Sequence, residues 1–499
     1  MFGTFYKRKM NKALAVLLGL TMGFGLTGCG ENEVTYDGFT AQVTEESSLT
    51  PVDSMLNTES YAGEEALPEE AKAVFESDDG LCRIEKKPSY FEIYLDYTGG
   101  DFYATGAAYG ETIKKTGIEY GELLEPYLYE NIKMAFPNLN GDYSPIRDRI
   151  KTLTASLPEQ YRQEMDGFAT AISGGEKGFI ENGKISYEEA MLANMVPDCL
   201  RGTNCNALSV WGEKTETGER IVSRTLEWSL GSENQMCLAQ AVTHFKMPEG
   251  KQSYTTFSVM GMLDVLTGIN ESGVFAGILD VGSIDNYVYE GKKCYTYELR
   301  YALENMSDAR SIGEYMVAES GNFTYSHNVI ITDEKDCFVA EDYADPGEEA
   351  RLASEQDSEK SKEHDGDELE ERRGHSVLRD KDTPLMDGVT WDNPDSLCVI
   401  NSFMTEGNED SFTSSGSNYV RFTKFNAWVG EKEKLSLSDV KDLVTREKQD
   451  RASRYQKLHS ENVFHTIIYD YATGELDITF TGEEGVMNHP KYVRVSLDQ

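Results

Sequence analysis

Two textures of hydrophobic spacing divide the chain. Over residues 102–172 small and apolar positions recur at helical spacing: Ala104, Gly106, Ala107, Ala108 and Gly110 lead into Ile113, Ile118, Leu123, Leu124 and Leu128. Such spacing gives a helix one apolar face, and small residues on that face let it pack closely on a neighbour. A second helix is predicted over 161–172. Another follows Ser186, which with Glu189 reads as a capping box. After residue 205 the pattern becomes that of strands, rich in β-branched and aromatic residues over 207–211, 220–228, 236–245 and 254–260, with Glu216-Thr217-Gly218-Glu219 as the first turn. Further strands are predicted over 274–279, 328–332 and 337–340, helices over 296–304 and 309–319, and a hairpin over 464–480. Helices first, then strands with helices between them, predict an α+β sandwich rather than a doubly wound parallel sheet.

The N-terminus adds an address. Lys7-Arg8-Lys9 precedes an apolar run over 13–24, short for a membrane span but suited to a signal peptide. It ends in Leu26-Thr27-Gly28-Cys29, which resembles the lipobox of bacterial lipoproteins. That resemblance implies a signal peptide over 1–28, a lipid on Cys29 and an extracytoplasmic protein anchored to the cell membrane. The alternative is an ordinary secretory signal with a chance cysteine. Residues 31–70 are rich in Ser, Thr and Glu, so 29–88 is expected to be a flexible tether. A nearly apolar-free acidic run at about 345–382 reads as a disordered insertion, and His364 and His375 within it as incidental.

Charge and cysteine count narrow the chemistry. With 87 acidic against 47 basic residues the formal charge is -40, which argues against nucleic acid as a partner. Of eight cysteines, an odd number remains once Cys29 carries lipid, so at least one thiol is unpaired within the monomer. No spacing is CxxC, so no metal site is expected. No GxGxxG or P-loop nominates a nucleotide, and no cofactor is expected.

The candidate chemistry centres on Cys205 in Arg201-Gly202-Thr203-Asn204-Cys205-Asn206-Ala207-Leu208-Ser209. The residues alone leave three readings: a buried thiol, half of a Cys199–Cys205 disulfide, or a nucleophile. A hairpin from Cys205 through the turn to Arg224-Thr225-Leu226-Glu227-Trp228 would bring Arg224 and Glu227 near the sulfur, where a cation favours the thiolate.

Taken in order, several segments resemble the N-terminal-nucleophile hydrolases of the choloylglycine hydrolase and penicillin acyltransferase (peptidase C45) group, to which acid ceramidases are related. They are Cys205-Asn206-Ala207-Leu208-Ser209, Arg224-Thr225-Leu226-Glu227-Trp228, Thr267-Gly268-Ile269-Asn270-Glu271-Ser272-Gly273-Val274 and Val399-Ile400-Asn401-Ser402-Phe403. The helical stretch with Tyr109-Gly110-Glu111 and Leu192-Ala193-Asn194 resembles the long propeptide of the acyltransferase branch. The resemblance implies a four-layer αββα sandwich of antiparallel sheets over 205–499, preceded by a helical prosegment over 89–204. It also implies self-cleavage between Asn204 and Cys205, after which the new α-amino group serves Cys205 as base. Arg224 and Glu227 would orient thiol and amine. The Asn270 backbone N–H and the Asn401 side-chain amide would hold the oxyanion. Arg421 and Asn328 are weaker candidates.

Three positions depart from the family pattern. Glu227 stands where Asp is usual and Asn204 where Gly is common. In Ser417-Asn418-Tyr419-Val420-Arg421 the first arginine of the family segment is replaced by Asn418. Asn270 also reads as an ordinary turn residue, whereas Asn401 in a strand is harder to explain as structure.

The implied activity is hydrolysis of a linear amide C–N bond in a small-molecule substrate, of the N-acyl amino acid, peptide, bile-amide or fatty-amide class. It would proceed through a thioester acyl-enzyme. Two alternatives stay open, an acyltransferase and a degenerate surface lipoprotein that binds an amphipathic ligand. A papain-like protease would need a histidine partner that no motif nominates.

Overall fold

The computed structural model describes residues 65–200, 204–281, 287–347, 375–407, 416–445, 456–487 and 490–497, with backbone alone at Asn204 and Gly416. It also describes the backbone of two paired strands, β1 (Asn32–Tyr36) and β2 (Phe39–Val43). The short β3 (Leu67–Pro68) precedes β4 (Ala73–Glu76), β5 (Cys82–Lys86) and β6 (Phe91–Asp96). Six helices follow: α1 (Phe102–Lys115), α2 (Tyr120–Ala135), α3 (Ser144–Ser156), α4 (Glu159–Ser173), α5 (Tyr187–Ala193) and α6 (Val196–Cys199). Next come β7 (Asn204–Val210), β8 (Ile221–Glu227), β9 (Gln240–Lys246), β10 (Tyr254–Val259), β11 (Thr267–Asn270) and β12 (Phe275–Asp280). Helices α7 (Tyr295–Asn305) and α8 (Ala309–Glu319) lead to β13 (His327–Thr332), β14 (Cys337–Asp342), β15 (Val377–Arg379) and β16 (Ser396–Val399). The chain closes with α9 (Gly416–Gly430), α10 (Leu437–Thr445), β17 (Val463–Asp470), β18 (Glu475–Phe480) and β19 (Val493–Val495).

Two sheets result. One has ten strands in the order β15-β14-β13-β12-β11-β10-β9-β6-β5-β4, the other seven in the order β16-β7-β8-β17-β18-β19-β3. Strand alternation sorts their faces. On β7, Cys205 and Ala207 join the apolar core that also holds Ile278 of the larger sheet. Leu208 and Val210 join a second core with Phe422 and Phe425 of α9 and Val440 and Leu443 of α10. Helices α1, α7 and α8 pack on the larger sheet and α9 and α10 on the smaller. The layers therefore run αββα, as the sequence implies.

The α1–α4 crossing explains the small residues. A Cβ on Gly106 would meet the Glu164 carbonyl at 2.1 Å, and one on Gly167 would meet the Tyr103 carbonyl at 2.2 Å. The capping box at Ser186 and Glu189 forms with both of its bonds.

The sequence reading needs correction in four places. The sheets are not wholly antiparallel, since β6 runs parallel to β9 and β19 parallel to β3. The tether expected over 29–88 does not extend that far, because β3 to β5 lie in the sheets; the buried Ile84 and Cys82 face α1 and supply the apolar reason. The acidic insertion ends before 377. Arg379 is buried on β15, where Nε donates to Glu341 at 2.9 Å and Nη2 to the Cys398 carbonyl at 3.0 Å. Its stretch 348–374, including His364, lies outside the described residues, as does Cys29 with the signal segment. Finally, residues Gln235–Ala239 form a 3₁₀ turn before β9 instead of extending the strand.

The helical N-terminal part is built into the body. Glu164 of α4 accepts from both Arg300 terminal nitrogens of α7, Nη2 at 3.1 Å, and from the Tyr97 hydroxyl, all fully buried. Arg300 Nε also donates to Glu304 at 3.0 Å.

Candidate active site

Cys205 lies at the head of β7, and the β7–β8 register puts it opposite Leu226 with Ala207 opposite Arg224. Arg224 is therefore the diagonal neighbour on the same face, within reach of a long side chain. Its Nη2 lies 3.3 Å from the Cys205 sulfur and donates at 2.7 Å to the carbonyl of Ile278 on the facing sheet. Glycine at 277 makes this approach possible, since a Cβ there would sit 3.0 Å from Arg224 Cγ. Cys205 and Arg224 are both 0% exposed, and Arg224 Nε and Nη1 have no hydrogen-bond partner among the described residues. Burial pulls the guanidinium below its ordinary pKa, while Cys205, Asp280 and Glu227 oppose that shift. An arginine remains charged even so, and its charge beside the sulfur favours the thiolate.

The backbone of Cys205 is held as firmly as its thiol. Its N–H donates to Asn401 Oδ1 at 2.7 Å, and its carbonyl accepts from Arg421 Nη2. Asn401 Oδ1 also accepts from Arg421 Nη1 at 3.0 Å, while Nδ2 donates to the Asp280 carbonyl at 2.6 Å. Two donors on one end and an acceptor on the other fix which way the amide points. Asn328 Nδ2 donates to the carbonyls of Ile400 and Ser402, each at 2.9 Å, bracing the backbone on either side of Asn401. Asn418 Nδ2 adds bonds to the Asn401 carbonyl at 3.0 Å and to Ser402 Oγ at 2.7 Å.

Glu227 closes the ring. Arg421 Nη2 reaches its Oε2 at 3.1 Å, and the Ser460 hydroxyl donates to Oε1. Both charged side chains are buried, Arg421 at 2% exposure and Glu227 at 2%. A buried ion pair with this many hydrogen bonds fixes geometry more than it adds stability.

The structure thus gathers Cys205, Arg224, Glu227, Asn401, Arg421 and Asn328 in one place, with the Asn204–Cys205 bond inside β7. Two roles change. Arg421, on the opposite face of α9 from solvent, contacts Cys205 directly and stands at the centre of the ring; Asn418, one helical turn earlier, supports Asn401. Asn270 does not join the site. Its N–H donates to the Val274 carbonyl at 3.1 Å, and Nδ2 donates to Leu303 and Met306 carbonyls at 3.1 and 2.8 Å. It ends β11, at the turn into β12, whereas the Cys205 ring meets β12 at Ile278 and Asp280, on the order of 15–20 Å further along that strand. The expected oxyanion role of Asn270 is therefore replaced by a structural one, the turn chemistry of Asn-Glu-Ser-Gly. Nor is the Asn401 amide free for an oxyanion in the uncleaved chain, since Nδ2 is given to Asp280.

Ser460 and Asp280 were missed in the sequence, and neither carries a local signal there. Each acts through a position set by a distant strand. Among the described residues all seven cysteines are buried and none is in a disulfide, so no Cys199–Cys205 bridge forms. Among the same residues no cluster of three or more His, Cys, Asp or Glu could hold a metal ion.

No family model and no curated protein matches the chain. Among solved structures it is similar to a Caenorhabditis elegans ortholog of N-acylethanolamine-hydrolyzing acid amidase, at 11% identity and TM-score 0.32, over 53% of this chain and 92% of that one. Penicillin V acylase from Agrobacterium tumefaciens matches at 12% identity and TM-score 0.34, over 59% and 86%. Conjugated bile acid hydrolase from Clostridium perfringens matches at 13% identity and TM-score 0.30, over 55% of this chain and 89% of that one.

Proposed function

We propose that this chain is a cysteine amidohydrolase that activates itself by cutting the Asn204–Cys205 bond. One observation carries the reading: the thiol, the N–H and the carbonyl of Cys205 are each held by a different buried polar side chain, Arg224, Asn401 and Arg421. A cysteine that merely fills a core has its backbone paired by the strand ladder and needs no cation at its thiol, whereas here the β16 ladder stops at Ala207 and side chains take over.

The arrangement supports a two-stage chemistry. In the first stage Sγ attacks the Asn204 carbonyl carbon, the thiol proton passes to the Cys205 nitrogen, and the C–N bond breaks to leave a thioester. Water then opens the thioester, giving an Asn204 carboxylate and restoring the thiol. In the second stage the new α-amino group, with an intrinsic pKa of roughly 8, takes the thiol proton while Asn401 Oδ1 holds it in place. The sulfur attacks a substrate amide carbonyl, the amine leaves, and water releases the acid from the acyl-enzyme. The substrate is a linear amide of the N-acyl amino acid, peptide, bile-amide or fatty-amide class. A lipid on Cys29 holding the enzyme at the outer face of a bacterial membrane belongs to the same proposal.

Intact-mass analysis tests it. Purified protein should give two fragments split before Cys205, and Cys205→Ala should remain one chain. Wild-type protein that stays whole, with Cys205 unmodified by chloroacetamide, would sink the proposal.

A further inference from the structure

The amidohydrolase reading leaves a second buried site unused. Asp198 of α6 is fully buried, and among the described residues the hydrogen bonds of its carboxylate all cross the Asn204–Cys205 boundary. Oδ1 accepts from the Tyr295 backbone N–H at 2.9 Å and from the Thr324 hydroxyl at 3.0 Å; Oδ2 accepts from the Thr296 hydroxyl at 2.7 Å. Thr296 and Thr324 are themselves buried. The main chain beside Asp198 is tied to the same region, with the Tyr287 hydroxyl donating to its carbonyl at 2.8 Å and the Tyr295 hydroxyl to that of Pro197 at 3.3 Å. His327, stacked on Tyr295 with ring centroids 4.4 Å apart, is fully buried, with Nδ1 2.9 Å from the Tyr325 carbonyl and Nε2 3.2 Å from Asp342 Oδ2.

This receptor connects to the scissile bond. The Tyr295 hydroxyl reaches Asp280 Oδ1 at 3.1 Å, the Asp280 carbonyl accepts from Asn401 Nδ2, and Asn401 Oδ1 accepts from the Cys205 N–H. One chain of hydrogen bonds therefore runs from the residues that hold Asp198 to the nitrogen of the bond proposed to break.

We propose that the C-terminal part carries a carboxylate receptor, made by the Tyr295 N–H and the Thr296 and Thr324 hydroxyls, and that Asp198 docks there to position the Asn204–Cys205 bond for cleavage. The proposal rests on the self-cleavage reading above. A bare helix end would offer backbone N–H groups alone. Here two hydroxyls from different parts of the chain converge with the N–H on one fully buried carboxyl group, and a polar group buried this deeply needs its hydrogen-bond donors. Asp198 is a positioning residue, since it touches neither the thiol nor the scissile carbonyl.

Time courses of fragment formation by intact mass test this, with circular dichroism to verify folding. Asp198→Gly should slow cleavage by about tenfold to a hundredfold, the loss expected when three buried hydrogen bonds to its carboxyl oxygens vanish. Added formate, a small carboxylate able to fill the empty receptor, should restore part of the rate, whereas formamide should not. Thr324→Val, a milder change on the receiving side, should slow cleavage of an otherwise wild-type chain by a smaller factor. The proposal is overturned if folded Asp198→Gly cleaves at the wild-type rate, or if formate leaves its rate unchanged. If Asp198→Gly does not fold, wild-type cleavage by Thr324→Val overturns it instead. A wild-type chain that never cleaves would remove the self-cleavage reading as well, and so is distinguishable from failure of the receptor alone.

Discussion

Arg421 gives the sharpest test of how the site is held together. In a Cys205→Ala background, which keeps the chain in one piece, Arg421→Met replaces the guanidinium by an apolar side chain of similar length. Glu227 then stays buried without its 3.1 Å cation, and the Cys205 carbonyl and Asn401 Oδ1 each lose a donor. Removing one partner of a buried pair costs about 3–5 kcal/mol, because the remaining charge keeps its desolvation penalty. Glu227→Gln in the same chain removes that charge, so the double variant should be at least about 2 kcal/mol more stable than the sum of the single losses predicts. Arg421→Lys should fall between wild type and Arg421→Met, since one ammonium cannot repeat a planar fork across the carbonyl of Cys205 and the side chains of Asn401, Asn418 and Glu227. Urea unfolding at unchanged m would measure each step. A loss below about 1 kcal/mol for Arg421→Met, or strict additivity in the double variant, would refute the view that Arg421 and Glu227 form one buried unit.

Three other outcomes follow from the geometry. Asn270→Ala should lower stability by about 1–3 kcal/mol, through the carbonyls of Leu303 and Met306 that it leaves unpaired, yet fragment formation by intact mass should proceed normally; a block would restore Asn270 to the site. Gly277→Ala should slow cleavage, because its Cβ would press on Arg224 Cγ at 3.0 Å; an unchanged time course would show that the facing sheet does not set Arg224. Burial, opposed by bonds from Thr296, Thr324 and Tyr295, pushes Asp198 up from 3.8 to about 7. The folded state then holds this proton where the unfolded chain has lost it, so stability is full below about pH 4 and falls as pH rises to about 7. The loss is on the order of 4 kcal/mol if the whole shift is expressed. Melting temperature against pH should therefore flatten in Asp198→Asn, and an unaltered slope would contradict the assignment.

Much of the site could be read from local pattern. Cys205 and Arg224 belong to one hairpin, so strand alternation and a short turn suffice to bring them together. Glu227 was placed in the same neighbourhood by the same hairpin, but its partner came from elsewhere: Arg421, on a helix almost two hundred residues further along the chain. Asn401 was nominated by the resemblance and by the oddity of an asparagine in an expected strand; the structure instead puts it in a bend two residues past β16, where its side chain meets the Cys205 N–H. Asn270 failed for the converse cause. A turn motif specifies backbone shape without saying which end of a sheet the turn occupies, and β12 separates it from the thiol.

The sequence by itself determined the elements that depend on neighbours in the chain: the α1 and α4 faces, the Ser186 cap, the β7–β8 and β17–β18 hairpins, and the placing of a cysteine at the head of a strand. These follow from periodicity, capping and turn chemistry, which act over a few residues. Only the tertiary structure decided that β4 to β6 extend the sheet of the C-terminal part, that Glu164 is paired with Arg300, and that Asp198 is received by Tyr295, Thr296 and Thr324. Each of these is a buried polar or edge-pairing requirement met by a partner far away in sequence. Burial makes such a partner necessary, but the sequence does not say which residue will supply it.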